Sequence, residues 1–326
     1  MCVVIIMKFR LGYVAMTLNL EDCSPSGTVT YKTFSGLPEG NPRINRLRRI
    51  TEKNLLNTLR ILKYNKALNI YVYRLTSKLV PLATHPELSE WDYIADFKDS
   101  LEEIGRFIIE NDFRISAHPD HFTLINSPVE KVVDDAIRDL DYHVKLFEAM
   151  GLTDYKYKLV LHVGGVHGNK KEAADRFCEN CVKLPDRIRK RLVIENDDKS
   201  FNTYDVLEIC NRIRLPMVLD VHHHNCLLEF GELRHLLPEI FKTWDGEELN
   251  PKIHFSSPKS EKAYRSHADY IDFSSFMDFL RMAEETGRDF DVMLEAKAKD
   301  TALLKLSEEL AASEGITRLS NSEFRM

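Results

Sequence analysis

The chain has 326 residues, 44% of them hydrophobic, and a formal net charge of −6. That is enough apolar material for a full core, and the charge excludes a generally basic nucleic-acid binder while leaving room for a local basic groove. Six cysteines in no dense pattern exclude a small disulfide-stapled scaffold and point to a reduced, cytosolic setting.

The N-terminal run MCVVII is apolar, but it is too short for a secretory signal and lacks a basic start. It either extends the first strand or precedes an internal start at Met7. Lys8–Ala15 reads as the first strand. Glu21–Gly40 is a long loop rich in Ser, Thr, Gly and Pro, of the length that is functional or mobile. Arg43–Asn65 is a helix with Leu47, Ile50, Leu55, Leu59 and Leu62 at helical spacing. Leu68–Leu75 is the second strand, followed by a loop with His85 and a helix from about Trp91 to Asn111. Phe113–Ala117 is the third strand, ending at His118, and Val129–Met150 the third helix. Tyr157–Leu161 ends at His162, and Lys170–Leu184 follows as a helix. The pair Cys178 and Cys181 has no second pair elsewhere and belongs to that helix rather than to a zinc or redox site.

Arg191–Ile194 is the fifth strand, ending at Glu195, with a helix over Asn202–Ile213. Leu215–Leu219 is a short buried strand ending at Asp220, with His222, His223 and His224 on the loop just beyond. Gly231–Thr243 is a helix, Pro251–His254 the seventh strand and Phe273–Glu285 the next helix. Phe290–Leu294 ends at Glu295, and Thr301–Ala312 is the last helix before a polar tail from about 313. No run is long enough to span a membrane. Eight alternating strand–helix pairs predict a parallel sheet and, by their number, a (β/α)₈ TIM barrel. A doubly wound open sheet is the structural alternative. Neither a linker nor an internal repeat divides the chain, so residues 1–326 are expected to form one domain.

In such a barrel the site lies at the C-terminal ends of the strands. The residues there are His118, His162, Glu195, Asp220 with His223, His254 and Glu295, with His267 on the following loop. Taken singly, each has a bland reading as a hydrogen-bonded histidine or a solvated acid. Together they fall where one cavity would form, and several imidazoles and carboxylates packed without a cation would leave uncompensated buried charge. Carboxylate oxygen with imidazole nitrogen suits Zn, Mn or Fe. Eight ligands exceed the needs of one ion, so two or three metals are expected, with Glu195 and Glu295 as bridges. Closely spaced metals lower the pKa of a water and clamp a phosphate in line. Such a centre requires no Ser or Cys nucleophile, and no Gly-x-Ser-x-Gly pattern is present. The glycine-rich run from His162 to Lys170 lacks the Gly-Lys-Ser/Thr ending of a P-loop. Its glycines allow a tight turn or close approach to a ligand.

The segments LGY (11–13), THP (84–86), AHPDHF (117–122), LHVGG (161–165), IEND (194–197), LDVHHH (219–224), KIHFSS (252–257), SHA (266–268) and VMLEAKAKD (292–300) resemble the UV damage endonuclease family. The resemblance runs from about Lys8 to Glu309. It implies a TIM barrel akin to endonuclease IV and a manganese-type trinuclear centre, with Zn²⁺, Co²⁺ or Mg²⁺ as alternatives. The implied reaction is a nick in damaged double-stranded DNA immediately 5′ to a cyclobutane dimer or 6-4 photoproduct, and at other lesions such as abasic sites. It leaves a 3′-hydroxyl and a 5′-phosphate, with the damaged bases flipped out. The resemblance makes His118, His162, Glu195, Asp220, His223, His254, His267 and Glu295 the ligand set, with Glu195, Glu295, Lys252 and His85, which lies beside the ligands, as the catalytic residues. Lys252 matches a lysine that is carboxylated in that family. Tyr13, His121 and Phe122 match positions that probe the lesion, where aromatic rings wedge into the duplex. Some relatives carry a Gln–Tyr pair where this chain has His121–Phe122, which keeps a planar ring but not an amide.

Arg43, Arg46, Arg48 and Arg49 are a basic cluster that a solvated helix face explains equally well. Lys170, Lys171, Lys297 and Lys299 stand nearer the expected mouth and are better phosphate contacts, Lys297 first among them. The resulting expectation is a monomer that acts on DNA without a membrane or an obligate protein partner. Rival readings are a divalent-metal sugar isomerase or epimerase on a related barrel, which needs fewer histidines and no exposed aromatics, and a catalytically silent barrel.

Overall fold

Eight short runs dominated by branched and aromatic residues lie side by side in sequence order, as expected of buried parallel strands. They are β1 (Phe9–Val14), β2 (Val72–Leu75), β3 (Arg114–Ala117), β4 (Lys158–His162), β5 (Leu192–Glu195), β6 (Met217–Asp220), β7 (Lys252–Phe255) and β8 (Phe290–Leu294). Every pairing is parallel, and β8 returns to β1 with Gly12 opposite Met293, so the sheet closes. The structure, a computed structural model, describes residues 7–227 and 232–313. The expected (β/α)₈ barrel is therefore the observed architecture, and the doubly wound alternative falls.

Strand alternation sorts side chains into two environments. On β1, Phe9, Leu11 and Tyr13 face the helices, while Arg10, Gly12 and Val14 face the barrel axis. The interior is layered. At the N-terminal end Asp291 receives Arg10 at 2.6 Å and a second guanidinium, that of Arg114. Lys158 meets Glu247 at 2.6 Å. Val160, Val193 and Val218 pack with Trp244, whose Nε1 donates to the Met217 carbonyl at 2.7 Å. That plug seals the lower end and leaves the C-terminal rim to carry the polar groups.

Several local expectations are refined. The loop Glu21–Gly40 contains a short helix, Tyr31–Ser35, capped by Thr30. The loop is also stitched to the helix Asn41–Ala67: Asn54 Nδ2 donates to Gly27 O at 2.9 Å and Asn57 Nδ2 to Ser24 O at 2.9 Å. The helix expected over Trp91–Asn111 is broken into Tyr93–Asp96 and Lys98–Glu110. Asp92 caps the first piece, and Trp91 Nε1 holds Asp96 at 2.7 Å. Cys178 and Cys181 are buried within Lys170–Lys183, as the helical reading requires. The histidines after β6 lie on a short helix, Val221–Cys226, rather than on a loop, because Asp220 accepts from the His223 backbone N–H at 2.7 Å and caps it. The helix expected from Gly231 is observed from Leu233 to Lys242. Its expected start at Gly231, the MCVVII segment and the tail beyond Ser313 lie outside the described residues.

Burial alone would raise the Asp291 carboxyl, but Arg10 and Arg114 outweigh it and hold the group below the usual carboxylate range. A depressed folded-state pKa stabilises the protein above the unfolded value of about 3.9, and the contribution is lost as pH falls through the folded value. Asp291→Asn leaves two buried cations short of a counter-ion and should cost about 3–5 kcal/mol in urea unfolding at neutral pH. An unchanged midpoint would remove this pair from the forces that hold the lower barrel.

Candidate metal centre

From β3 to β8, each strand delivers one titratable side chain to the C-terminal rim, at its last residue or the one just before or after it. Glu195 is at the centre. Its Oε2 lies 3.0 Å from His118 Nε2 and 3.5 Å from His162 Nε2, and its Oε1 lies 2.6 Å from His254 Nδ1. Two candidate ligand groups therefore share it: His118, His162 and Glu195, and Glu195, Asp220, His254 and Glu295, with the donor atoms of each group within 4.8 Å of one another. His223 and His267 flank these groups. The His223 ring is 5.7 Å from that of His162 and 6.3 Å from that of His267.

The rings are oriented from behind. Nδ1 of His118 donates to Pro119 O at 2.9 Å, that of His162 to Glu195 O at 3.3 Å, that of His223 to Asn196 O at 2.9 Å and that of His267 to Glu295 O at 2.7 Å. A ring whose Nδ1–H is held by a carbonyl presents the Nε2 lone pair, the usual arrangement behind a metal-ligating histidine. Asn196 adds a brace of its own. Its Oδ1 accepts from the Asp220 N–H and its Nδ2 donates to the Asp220 carbonyl, both at 2.9 Å.

Two observations test whether a cation fits. Asp220 Oδ2 and His254 Nε2 are buried with no hydrogen-bond partner among the described residues, a costly arrangement for polar atoms in a dry site. The protonation equilibria point the same way. Burial, then Glu195 and Glu295, push Asp220 up to about 6 against the pull of His223. Burial would lower His223, but Asp220 and Glu195 outweigh it and push the ring up to about 9. Burial would also raise Glu195 and Glu295. His254 and His162 hold Glu195 well down, and Arg74 and His254 hold Glu295 down. The rim is short of positive charge, and the donor set fits divalent ions.

The remaining candidates are dispersed. Lys252 lies two positions before His254 on β7, with Nζ donating to Ser116 Oγ at 3.0 Å, and burial and Arg114 push its ammonium well down. His85 stands outside both ligand groups. It stacks on Tyr31 at 4.0 Å, and its Nδ1 accepts from the Glu87 N–H. Tyr13 is a correction: it is fully buried on the helix-facing side of β1 and donates its hydroxyl to Asn65 at 2.6 Å, so it offers DNA no surface. His121 and Phe122 are exposed on the loop after β3, Phe122 by 54%. His121 lines a cleft of about 330 Å³ that also reaches His118, His162 and His223. Lys297 is exposed beside the rim. Lys170, by contrast, is held by Asp205 at 2.5 Å. The basic cluster at the start of Asn41–Ala67 is committed locally: Arg43 to Leu37 O and Ser35 O, and Arg48 to Asp96. Sequence reasoning missed Asn196, although it directly follows Glu195, and Arg74, a charged residue inside an apolar strand, which reaches Glu295 Oε1 at 2.5 Å.

The family model of UV-endonuclease UvdE matches residues 9–326. The chain belongs to the UvdE family. It is 45% identical over 316 residues to the UV DNA damage endonuclease of Bacillus thuringiensis subsp. konkukian (strain 97-27), covering 97% of this chain and 99% of that one. The crystal structure of SacUVDE superposes with a TM-score of 0.82 at 35% identity, over 93% of this chain and 98% of that one. The apo 3-keto-D-glucoside 4-epimerase YcjR from E. coli gives a TM-score of 0.55 at 12% identity, over 93% of this chain and 98% of that one. At that distance only the barrel is shared, so the UvdE match takes precedence over the sugar-epimerase reading.

A histidine must be neutral to ligate. His223, raised to about 9, should therefore make divalent-ion affinity climb between pH 7 and 9 and release a proton on binding. Titration of the metal-free protein with Mn²⁺ in lightly buffered indicator dye measures both; a flat profile would take His223 out of the ligand set. The raised pKa also stabilises the metal-free fold below the unfolded value of about 6.5, and that contribution is lost as pH rises through about 9.

Proposed function

We propose that this chain is a metal-dependent hydrolase that cuts damaged double-stranded DNA immediately 5′ to cyclobutane dimers and 6-4 photoproducts, and at abasic sites, leaving 3′-hydroxyl and 5′-phosphate ends. The proposal includes a single barrel domain acting as a monomer in the cytosol. The observation that carries it is the pair of ligand groups sharing Glu195 at the open rim of a chain that belongs to the UvdE family.

His118, His162, Glu195, Asp220, His223, His254, His267 and Glu295 would hold two or three divalent ions, manganese first, with Glu195 common to both ligand groups. Such ions activate water at neutral pH and neutralise charge on the phosphate under attack. The chain's own groups do the rest. The carbonyls behind four imidazoles fix their tautomers, and Asn196 fixes the β6 turn that presents Asp220 and His223. Lys252, whose ammonium is disfavoured by burial and by Arg114, would become an acidic neighbour of the centre by adding carbon dioxide at Nζ with loss of a proton. Phe122, with His121, supplies a flat apolar face at the mouth that can fill the gap left when damaged bases leave the stack. Lys297 contacts the backbone.

Supercoiled plasmid, irradiated or untreated, with and without Mn²⁺, is the direct test. Only irradiated plasmid with metal should be nicked. Glu195→Gln should abolish nicking while the thermal transition stays cooperative; near-normal turnover by that variant would remove Glu195 from the centre, and intact irradiated plasmid with the parent protein would end the repair reading. The two mouth residues should separate in binding assays. Phe122→Ala should lower affinity for irradiated duplex by about 1–3 kcal/mol and leave untreated duplex alone. Lys297→Ala should weaken both alike and flatten the salt dependence by about one unit. Equal losses on both duplexes for Phe122→Ala would make it a packing residue.

A further inference from the structure

Arg74 is a cation in direct contact with a candidate ligand, and nothing in the proposed chemistry uses it. It ends the inward-facing row of β2, and its Nη1 lies 2.5 Å from Glu295 Oε1. The same oxygen is 3.2 Å from His254 Nδ1, so it points into the second ligand group. The intervening strand, β1, has Gly12 in its inward row, where even a Cβ would come within 2.3 Å of the Val72 carbonyl. Gly12 thus lets β1 and β2 approach closely beneath the Arg74–Glu295 contact. Both partners are largely enclosed, with side-chain exposures of 11% and 13%, and each still reaches solvent at the rim. Lys299, the first residue of the helix Lys299–Ala312, adds a second cation on the same side. It is held at φ 51°, a conformation uncommon for a residue with a side chain, and burial, then Arg74, lower its ammonium against the pull of Glu295.

A guanidinium and a dication held at one carboxylate repel each other across a few ångströms of poorly solvated space. The geometry points to Arg74 as a placeholder that is handed over. Without metal it neutralises Glu295; with the rim loaded by divalent ions, the guanidinium would be released toward solvent, where its planar fork would meet a backbone phosphate of the bound DNA. This rests on the reading of the rim as a metal centre acting on DNA. It assigns Arg74 two linked effects of opposite sign. Arg74 weakens metal binding in the free protein and strengthens the grip on DNA once metal is present, so metal and DNA bind with positive coupling.

The test compares the parent with Arg74→Met, with Arg74→Lys as the milder variant should the first fail to fold. Mn²⁺ affinity is measured by electron paramagnetic resonance of the free ion, first without DNA and then with an undamaged duplex. Arg74→Met should bind Mn²⁺ about 10-fold more tightly, bind duplex more weakly in Mn²⁺, and lose most of the increase in Mn²⁺ affinity that duplex gives the parent; Arg74→Lys should fall between. A residue that merely positions Glu295 would do the reverse and weaken Mn²⁺ binding on removal. That result, or unchanged Mn²⁺ affinity, overturns the handover while leaving the metal centre in place. Failure of the parent itself to bind Mn²⁺ would instead overturn the reading on which it rests.

Discussion

Three carboxylates cannot be gathered in one enclosed space without positive charge to answer them, and the rest of this structure is arranged around that constraint. Glu195, Asp220 and Glu295 converge on the barrel axis with His118, His162 and His254 around them. The imidazoles answer only part of the charge. What remains shows in a carboxyl pushed up, an imidazole pushed up beside it, and two buried polar atoms without hydrogen-bond partners among the described residues. Rigid strands hold the groups together at a cost that a looser scaffold would relieve by letting them separate. The strain lies in electrostatics rather than in the ligands' own backbone: none of those six residues is among the non-glycine residues with positive φ.

The barrel keeps this chemistry apart from its own stability. At the lower end charges are matched within the chain: Arg10 and Arg114 with Asp291, and Lys158 with Glu247. Above them three valines and Trp244 form a dry layer. At the upper end charge is left unmatched, and the groups that answer it, Arg74 among them, reach solvent. The two ends therefore differ in kind. One is internally complete; the other is complete only with a cation and an anion from outside. Active-site groups at the C-terminal ends of strands and structural ones at the N-terminal ends are the general division of labour in this fold.

Much of this was legible in the sequence, because strand periodicity and strand termini carry strong signals. Apolar runs ending in His, Glu or Asp marked both the strands and the rim, and the eight-fold repeat of strand and helix led to closure. What stayed hidden depends on facing rather than on order. Tyr13 sits in a motif shared with the family, yet one step of alternation along β1 turns its ring toward Asn65 and away from the mouth. The break at Phe97 depends on the Asp92 cap and on Trp91 reaching Asp96, contacts that an apolar pattern does not encode. The ordered loop after β1 depends on two asparagines of a helix, Asn54 and Asn57, whose side chains take the place of backbone partners.

The acidic body and the proposed polyanionic substrate are reconciled by where the cations remain available. Many basic residues are paired across helix surfaces: Arg48 with Asp96, Arg187 with Asp141 and Glu148, and Arg212 with Asp175. Those pairs neutralise one another beyond a Debye length of about 8 Å at physiological salt, so a DNA backbone gains little from them. The positive potential that matters would come from the rim itself, from dications among the carboxylates together with Lys297 and a released Arg74. A surface repulsive to DNA in general and attractive only where metal is bound would disfavour idle contact with undamaged duplex. It would also leave the apolar face of Phe122 to discriminate a distorted site from a regular one.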